Sequence, residues 1–141
     1  TYTPRTMVDM ATLTGACVVA LGEYTAGLFS NDENLSSELV SLGTESFERC
    51  WPLPLLPEYT DEIKSGSDFA DLRSIGTGRE AGACTAAAFL NEFVSKDKSS
   101  WAHVDIAGSA MYSKPREFMS KGATGFGASL LAQLCLSKSS C

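Results

Sequence analysis

The sequence is poor in the side chains and motifs that common enzymes use for catalysis. It has a single histidine, His103, and it contains no HExxH, GxSxG or Walker-type phosphate loop. The usual zincin, serine hydrolase and nucleotide-binding interpretations are therefore excluded. Gly76-Thr77-Gly78 followed by Gly82 has some likeness to a phosphate loop, but it lacks a strand directly before it and the required spacing.

Positive charge is also scarce. The chain has 11 basic residues against 17 acidic ones, which gives a net charge of −6, and the basic residues are scattered. A nucleic-acid-binding protein usually has a basic patch, because contacts with phosphate supply much of its affinity. We therefore expect no nucleic-acid partner, and we attribute the acidity to a solvated surface that keeps the protein soluble.

Long apolar runs and paired cysteines are missing too. The apolar stretches fall far short of the roughly 20 residues that a membrane helix needs, so we expect no membrane partner. The five cysteines form no CxxC pair, and their odd number is typical of a reduced, intracellular protein rather than of a disulfide scaffold. The chain starts at Thr1 without a Met or a signal sequence, which indicates a fragment or a processed piece.

What the sequence does contain is a series of short strands and helices, in a length that suits one domain with a buried core. Apolar spacing predicts strands at residues 5–10, 25–30 and 101–106, and helices at residues 35–42, 58–64, 83–94 and 128–136. The apolar run at residues 16–21 is short enough to be a helix or a strand, and a helix is favoured because Gly22 follows it. Gly22 and Gly43 are expected to end the helices that precede them. Residues 51–54, 65–82 and 112–127 are predicted to be irregular. Strands that alternate with helices indicate a layered α/β domain.

Two turns built of small residues each follow a predicted strand. The first turn is Ala-Thr-Leu-Thr-Gly at residues 11–15, and the second is Ala-Gly-Ser-Ala at residues 107–110. Open α/β sheets bind their ligands beyond the carboxyl ends of strands. Both turns are therefore candidates for the walls of a binding site.

Three polar residues near these turns have two interpretations each. His103 and Asp105 share one face of a strand, so they could ligate a metal or form a base with its orienting partner. The favoured interpretation is a buried polar pair that satisfies backbone groups of the loops. Asp9, at the end of the first strand, could ligate a metal, but capping of the following turn is favoured. Taken alone, these residues name no reaction.

Six ordered segments of the sequence resemble the motifs of the leucyl (cytosol) aminopeptidase family. They cover nearly the whole chain, so chance agreement is not a serious alternative. The matches are Asp9-Met10-Ala11-Thr12-Leu13-Thr14-Gly15-Ala16 (DxATLTGA), residues 51–54 with Tyr59 (WxLP and Y), residues 70–72 (AD and an aliphatic residue), residues 82–94 (GAxTAAxFLxxFV), residues 101–108 (WAHxDIAG) and residues 122–127 (GATGFG).

The resemblance implies that residues 1–141 are the C-terminal portion of a leucyl aminopeptidase catalytic domain, with a mixed β-sheet sandwiched between helices. Members of the family are two-metal exopeptidases that release the N-terminal residue, often leucine, from peptides. Two divalent ions, usually zinc, manganese or magnesium, activate a bridging water. Family members are similar in forming cytoplasmic homo-hexamers whose sites face an inner cavity.

The resemblance assigns neither a metal ligand nor a catalytic residue to this sequence. In the family the metal ligands, the catalytic lysine and an arginine that holds a bicarbonate lie in segments before the DxATLTGA motif. Those segments, like the family's N-terminal domain, do not occur in these 141 residues. The resemblance therefore implies that the chain is inactive alone, and that His103 and Asp105 are structural residues that brace the second turn.

Substrate binding is what the resemblance does assign to this sequence. Thr12, Leu13 and Gly15 match positions that line the pocket for the N-terminal side chain, with the Leu13 carbonyl and the Gly15 N–H facing the substrate backbone. Ala107 matches the base of that pocket. Ala110 stands where many relatives carry a larger residue such as Met, which implies a wider pocket for apolar side chains.

A further pocket, for the residue after the cleaved bond, is matched by Ile75. Relatives often carry Asn after the AD segment, whereas this chain has Arg73-Ser74. The alternative to an enzyme is a non-catalytic module with the aminopeptidase fold and a structural or regulatory role. An unrelated α/β binding domain would require the ordered motifs to be accidental.

Overall fold

The computed structural model describes residues 4–65, 68–94 and 99–139. Strands and helices alternate through most of this length, as the sequence predicts. The strands are β1 (Thr6–Ala11), β2 (Ala26–Ser30), β3 (Cys50–Pro52), β4 (Ser100–Asp105), β5 (Met111–Tyr112) and β6 (Gly122–Ala123). The helices are α1 (Gly15–Leu21), α2 (Glu33–Glu45), α3 (Pro57–Ser65), α4 (Gly82–Asn91) and α5 (Ala128–Ser139).

The main sheet is mixed, with the strand order β1-β4-β2-β3. β4 is parallel to β1 on one side and antiparallel to β2 on the other, and β2 is parallel to β3. Asp105, at the end of β4, faces Ala11 of β1 and Gly27 of β2. A separate antiparallel hairpin is formed by β5 and β6.

Helices cover both faces of the sheet, because successive side chains of β4 point to opposite sides. Ala102 and Val104 lie on the face that α2 and α5 cover, in a core that includes Leu39 and Leu130. Trp101, His103 and Asp105 lie on the other face, where Phe29 stacks on His103 and packs with residues of α1 and α4. The predicted fold class, a mixed sheet between helical layers, is confirmed.

Local signals account for the ends of the first two helices. The Thr14 hydroxyl accepts a hydrogen bond from the Cys17 N–H and so caps the start of α1. Gly22 ends α1 as predicted, with a positive φ of 68° that favours glycine. The carboxylate of Asp32 accepts hydrogen bonds from the Asn34 and Leu35 N–H groups, which begins α2.

The prediction that Gly43 ends its helix is wrong, because α2 continues to Glu45. Gly43 is buried, and a Cβ on it would lie 2.7 Å from the backbone oxygen of Glu48. The glycine is therefore required for the close return of the chain against the helix. Close packing, not helix termination, explains its presence.

Three further predictions are corrected by the structure. Residues 50–52 form the edge strand β3, where a proline is tolerated because one side of the strand needs no ladder hydrogen bond. The stretch 112–127 contains the hairpin strand β6 and the end of β5, which are too short to show a period. The helix predicted to reach residue 94 ends at Asn91. Residues 66–67 of the predicted 65–82 loop lie outside the described residues.

We expect the isolated 141-residue chain to self-associate. Within the described residues β1 is paired only with β4, so its outer edge is open to another strand. A groove of about 760 Å³ lies beside this edge and is lined by Val8, Leu131 and Leu134, among others. Size-exclusion chromatography with light scattering, under a reductant that prevents cross-linking through Cys135, should show species larger than a monomer. A monodisperse monomer with a cooperative thermal melt would contradict this expectation.

Candidate functional site at the ends of two parallel strands

The two small-residue turns lie side by side at one end of the sheet, where the strands end. β1 ends at Ala11 and β4 ends at Asp105, and these residues are partners in the parallel ladder. Residues 12–14 lead from β1 into α1, and residues 106–110 lead from β4 into β5. Both turns therefore extend from the carboxyl ends of neighbouring strands, the position at which open α/β sheets bind ligands.

The carboxylate of Asp105 joins the two turns. Its Oδ1 accepts hydrogen bonds from the backbone N–H groups of Leu13 (3.1 Å), Thr14 (3.4 Å) and Ala107 (3.1 Å). Its Oδ2 accepts one from the Thr14 hydroxyl (2.7 Å). Because Asp105 is fully buried, these donors replace the water that its carboxylate loses. The interpretation of Asp105 as a buried residue that satisfies loop backbone groups is confirmed.

Thr14 connects this arrangement to α1. Its hydroxyl oxygen accepts from the Cys17 N–H at 3.0 Å while its proton points to Asp105. A hydroxyl residue directly before an apolar helical run is a known cap signal, so the sequence could have identified Thr14.

Nearby, burial and then the charge of Asp105 raise the pKa of the Cys17 thiol to about 11. Cys17 is therefore protonated at neutral pH and is not an activated nucleophile.

Asp9 does not cap the first turn, so that prediction is wrong. Its Oδ2 accepts a hydrogen bond from the Trp101 ring Nε1–H at 2.6 Å, and its Oδ1 lies 2.5 Å from His103 Nδ1. The physical reason is that two buried rings on β4 carry polar nitrogens, and Asp9 is the ladder partner of His103. The carboxylate is therefore occupied on the face of the sheet instead of beyond the strand end. The imidazole of His103 is fully buried between Phe29 and Trp101, with ring centroids 6.3 and 6.4 Å away.

These polar residues do not fit a metal centre. In the part of the chain that the structure describes, no group of three or more His, Cys, Asp or Glu side chains could hold a metal ion. Both oxygens of Asp105 face N–H or O–H donors, and both oxygens of Asp9 face the rings of β4. The structural interpretation of His103 and Asp105 is therefore preferred over ligation.

Five of the six residues predicted to bind substrate are brought to this end of the sheet. Thr12 and Gly15 are exposed, and Leu13, Ala107 and Ala110 are half-buried. A Cβ built on Gly15 meets nothing within 4 Å. The protein itself leaves open space beside the Gly15 backbone, which another molecule can approach closely.

Ile75, the sixth predicted residue, lies in a different segment. Its side chain is 70% exposed in the irregular stretch before α4. That stretch is held to α3, since the N–H and the hydroxyl of Thr77 donate to Glu62 Oε1 at 2.7 and 2.8 Å. These two hydrogen bonds tie the segment that carries Ile75 to α3.

The second turn also packs against the end of α1. A Cβ on Gly108 would lie 1.9 Å from the carbonyl oxygen of Gly22, a distance that no real side chain can adopt. The glycine in the WAHxDIAG segment is therefore required for the contact between this turn and the helix. As a result α1 starts at one turn of the site and ends against the other.

The β5–β6 hairpin holds the far end of the second turn. The Thr124 N–H donates to the Ala110 carbonyl at 3.0 Å, and the Thr124 hydroxyl donates to the Ser109 carbonyl at 2.7 Å. Further along the connection, Arg116 pairs with Glu23 at 2.5 Å. The sequence gives no signal for that pair, because its members are 93 residues apart.

Arg116 is also placed between two aromatic rings. Its guanidinium carbon lies 4.0 Å from the ring centroid of Tyr24 and 4.1 Å from that of Tyr112. A cation between two π-faces is attracted to both. This contact fastens the hairpin connection to the residues that follow α1.

Two grooves in the described part of the surface lie away from the two turns. A groove of about 820 Å³ lies at the opposite end of the sheet and is lined by Ser30, Asp32, Leu53 and Thr60, among others. Asp32 in this groove is already used to cap α2. None of the described helices is long and apolar enough to cross a membrane.

Comparison with known proteins gives a consistent result. Residues 1–132 match the family model described as the cytosol aminopeptidase family, catalytic domain. The chain is 52% identical over 134 residues to a probable cytosol aminopeptidase of Chloroherpeton thalassium, covering 95% of the chain and 25% of that protein. It is 54% identical over 133 residues to that of Chlorobaculum parvum, covering 94% of the chain and 25% of that protein.

A similar match is found with the cytosol aminopeptidase of Haemophilus influenzae, at 47% identity over 137 residues, which covers 97% of this chain and 26% of that protein. The chain thus spans about a quarter of the length of the curated relatives it matches. The family is one of metal-dependent peptidases, although the described residues contain no metal-binding group. Because the family model matches residues 1–132 of this chain, the chain belongs to the cytosol aminopeptidase family.

Proposed function

We propose that this chain forms the substrate-binding wall of a metal-dependent leucyl aminopeptidase that releases N-terminal residues, preferably apolar ones, from peptides in the cytoplasm. The observation that carries the proposal is the convergence of two small-residue turns, both bound to Asp105, beyond the carboxyl ends of β1 and β4. This position is where an α/β sheet binds its ligand. Membership of the aminopeptidase family supplies the reaction class.

In this proposal the first turn binds the substrate backbone. The Leu13 carbonyl oxygen accepts from the substrate, and the Gly15 N–H donates to it. The open space beside Gly15 allows a peptide to approach the backbone closely enough for such a bond. Asp105 and Thr14 hold this turn in place, so little conformational entropy is lost on binding.

The N-terminal side chain of the substrate is received between the turns. Thr12 and Leu13 form one side, and Ala107 and Ala110 form the other. The two alanines contribute only methyl groups, which leaves room for a large side chain and offers it an apolar surface. We infer a preference for apolar N-terminal residues that is broader than for leucine alone. Ile75 contacts the residue after the cleaved bond.

The proposal assigns the hydrolytic chemistry to metal ligands of the complete enzyme that do not occur in these 141 residues. Two divalent ions, zinc or manganese, supply the activated water and polarise the scissile carbonyl when bound. The described residues hold no group that fits these ions. What they do is bind and orient the peptide, which is itself a large contribution to rate.

A homo-hexameric state belongs to the same proposal. Val19 on α1 is 90% exposed and Phe118 is 96% exposed, and large apolar side chains in solvent are typical of surfaces that contact other protein. Light scattering on the protein expressed at full length from its own gene tests the assembly.

The activity is tested by comparing two preparations with leucine-p-nitroanilide in the presence of manganese or zinc. The full-length protein is expected to turn over the substrate and to contain metal. The isolated 141-residue chain, with its secondary structure checked by circular dichroism, is expected to show neither turnover nor bound metal, because it lacks a metal-binding group in its described residues.

Either of two results would contradict the proposal. Metal-dependent turnover by the isolated chain would mean that Asp9, His103, Asp105 or other residues of this chain build a catalytic site. A full-length protein without peptidase activity on any N-terminal residue would favour the alternative, a non-catalytic module with the aminopeptidase fold.

Ala110 offers a test of the pocket itself. Replacing Ala110→Met adds three heavy atoms to the proposed pocket, so kcat/KM for a bulky N-terminal residue such as Phe should fall by about tenfold relative to Ala. The measurement is the ratio of kcat/KM for the two substrates in the full-length protein. The control is Ala132→Met on the exposed side of α5, which should leave the ratio unchanged. Equal ratios in both variants would remove Ala110 from the pocket.

A further inference from the structure

The structure points to Asp105 as the positioning residue that sets the width, and therefore the selectivity, of the substrate pocket. This inference rests on the proposed function, because the two turns that Asp105 joins are the two sides of the proposed pocket. Asp105 touches no substrate itself in this arrangement. It acts by fixing where Leu13 and Ala107 lie relative to each other.

One atom holds both sides of the pocket. Asp105 Oδ1 accepts from the Leu13 N–H and from the Ala107 N–H, each at 3.1 Å. The two backbone nitrogens can therefore lie no farther apart than twice that distance. A change in the position of this oxygen shifts both walls, whereas a change in any single lining residue shifts one.

The second oxygen extends the control to Gly15. Asp105 Oδ2 accepts from the Thr14 hydroxyl, and that hydroxyl in turn accepts from the Cys17 N–H in the first turn of α1. Gly15, which begins α1, is thus fixed through Thr14. Of the two residues proposed to contact the substrate backbone, Leu13 is hydrogen-bonded to this carboxylate directly, and Gly15 follows Thr14, which is hydrogen-bonded to it.

The two carboxylate oxygens of Asp105 together accept hydrogen bonds from four donors. None of the ion pairs between described residues includes Asp105, so hydrogen-bond donors compensate its burial. An asparagine has one acceptor oxygen and one amide group that only donates. In Asp105→Asn the three backbone donors keep a weaker, uncharged acceptor, and the Thr14 hydroxyl must turn away from the new amide.

The chain contains a closely matched control at the other end of the sheet. Asp32 is also an aspartate with one oxygen on two backbone N–H groups, those of Asn34 and Leu35, and the other on a hydroxyl, that of Ser100. It caps α2 and touches neither turn of the site. Asp32→Asn therefore makes the same chemical change, with a cost in stability but away from the pocket.

The experiment measures kcat and KM of the full-length protein for peptides that begin with Leu, Phe or Ala. For Asp105→Asn we expect the ratio of kcat/KM between Phe and Ala substrates to change by about tenfold, at unchanged metal content, because the two walls are no longer held at one separation. Asp32→Asn should lower the melting temperature and leave the ratio as in the wild type. If both variants lose stability and neither changes the ratio, Asp105 is merely structural and the inference is wrong.

A second pair of variants covers the case in which Asp105→Asn does not fold. Thr14→Val removes the hydroxyl that donates to Asp105 and should change the ratio in the same direction. Thr14→Ser keeps the hydroxyl and should therefore keep the wild-type ratio. Loss of selectivity in both, or in neither, would overturn the inference.

Failure of the proposed function is recognised separately. If the wild-type full-length protein cleaves no peptide, the proposed function is wrong whatever the variants do. The link between the turns is then judged by hydrogen exchange, which needs no substrate. Asp105→Asn should accelerate exchange in residues 12–15 and 106–110 together, and Asp32→Asn in neither. Acceleration of one turn alone would show that Asp105 does not couple them.

Discussion

Burial of β4 on both faces is the constraint on which the rest of the structure depends. The strand lies inside the sheet, with α2 and α5 on one side and α1 and α4 on the other, yet it carries His103 and Asp105 at zero exposure. A buried polar side chain is destabilising unless it finds partners. Asp9 on β1 supplies a partner for the Nδ1 atom of His103, and the first turn supplies donors to Asp105, so β1 must lie beside β4 in one register. The position of the candidate site therefore follows from the partners of Asp105 and of one ring nitrogen of His103.

The features that the sequence could predict are those with a local cause. Alternation along residues 101–106 separates the polar from the apolar side of β4, and Gly22 after an apolar run ends α1. The turns are recognisable because small residues follow each strand. By contrast, β3 has only three residues and ends in Pro52, and β5 and β6 have two residues each. Strands of that length are formed by their neighbours and show no periodicity of their own.

The polar contacts of the site could not be predicted in the same way. Asp9 meets His103 and Trp101 across more than 90 residues, and Leu13 meets Asp105 across 92. Spacing in the sequence gives no indication of which distant donor a carboxylate will find. The sequence placed Asp9 at a strand end, where it could ligate a metal or cap the turn. Its actual partners are determined by the register of the β1–β4 ladder. Resemblance to the family supplied the residues of the proposed pocket wall without identifying Asp105 as the residue that joins the two turns.

The close contact between Gly108 and Gly22 has a consequence for how the proposed pocket can change during evolution or design. Any side chain at position 108 would collide with the backbone that follows α1, so this position is fixed as glycine. Its neighbours in the same turn are not restricted in that way, because Ala107 and Ala110 are only half-buried. The turn thus separates an invariable anchor from two adjustable positions. In the proposed pocket, new specificities can arise by substitution beside Gly108 while the backbone of the turn stays where it is.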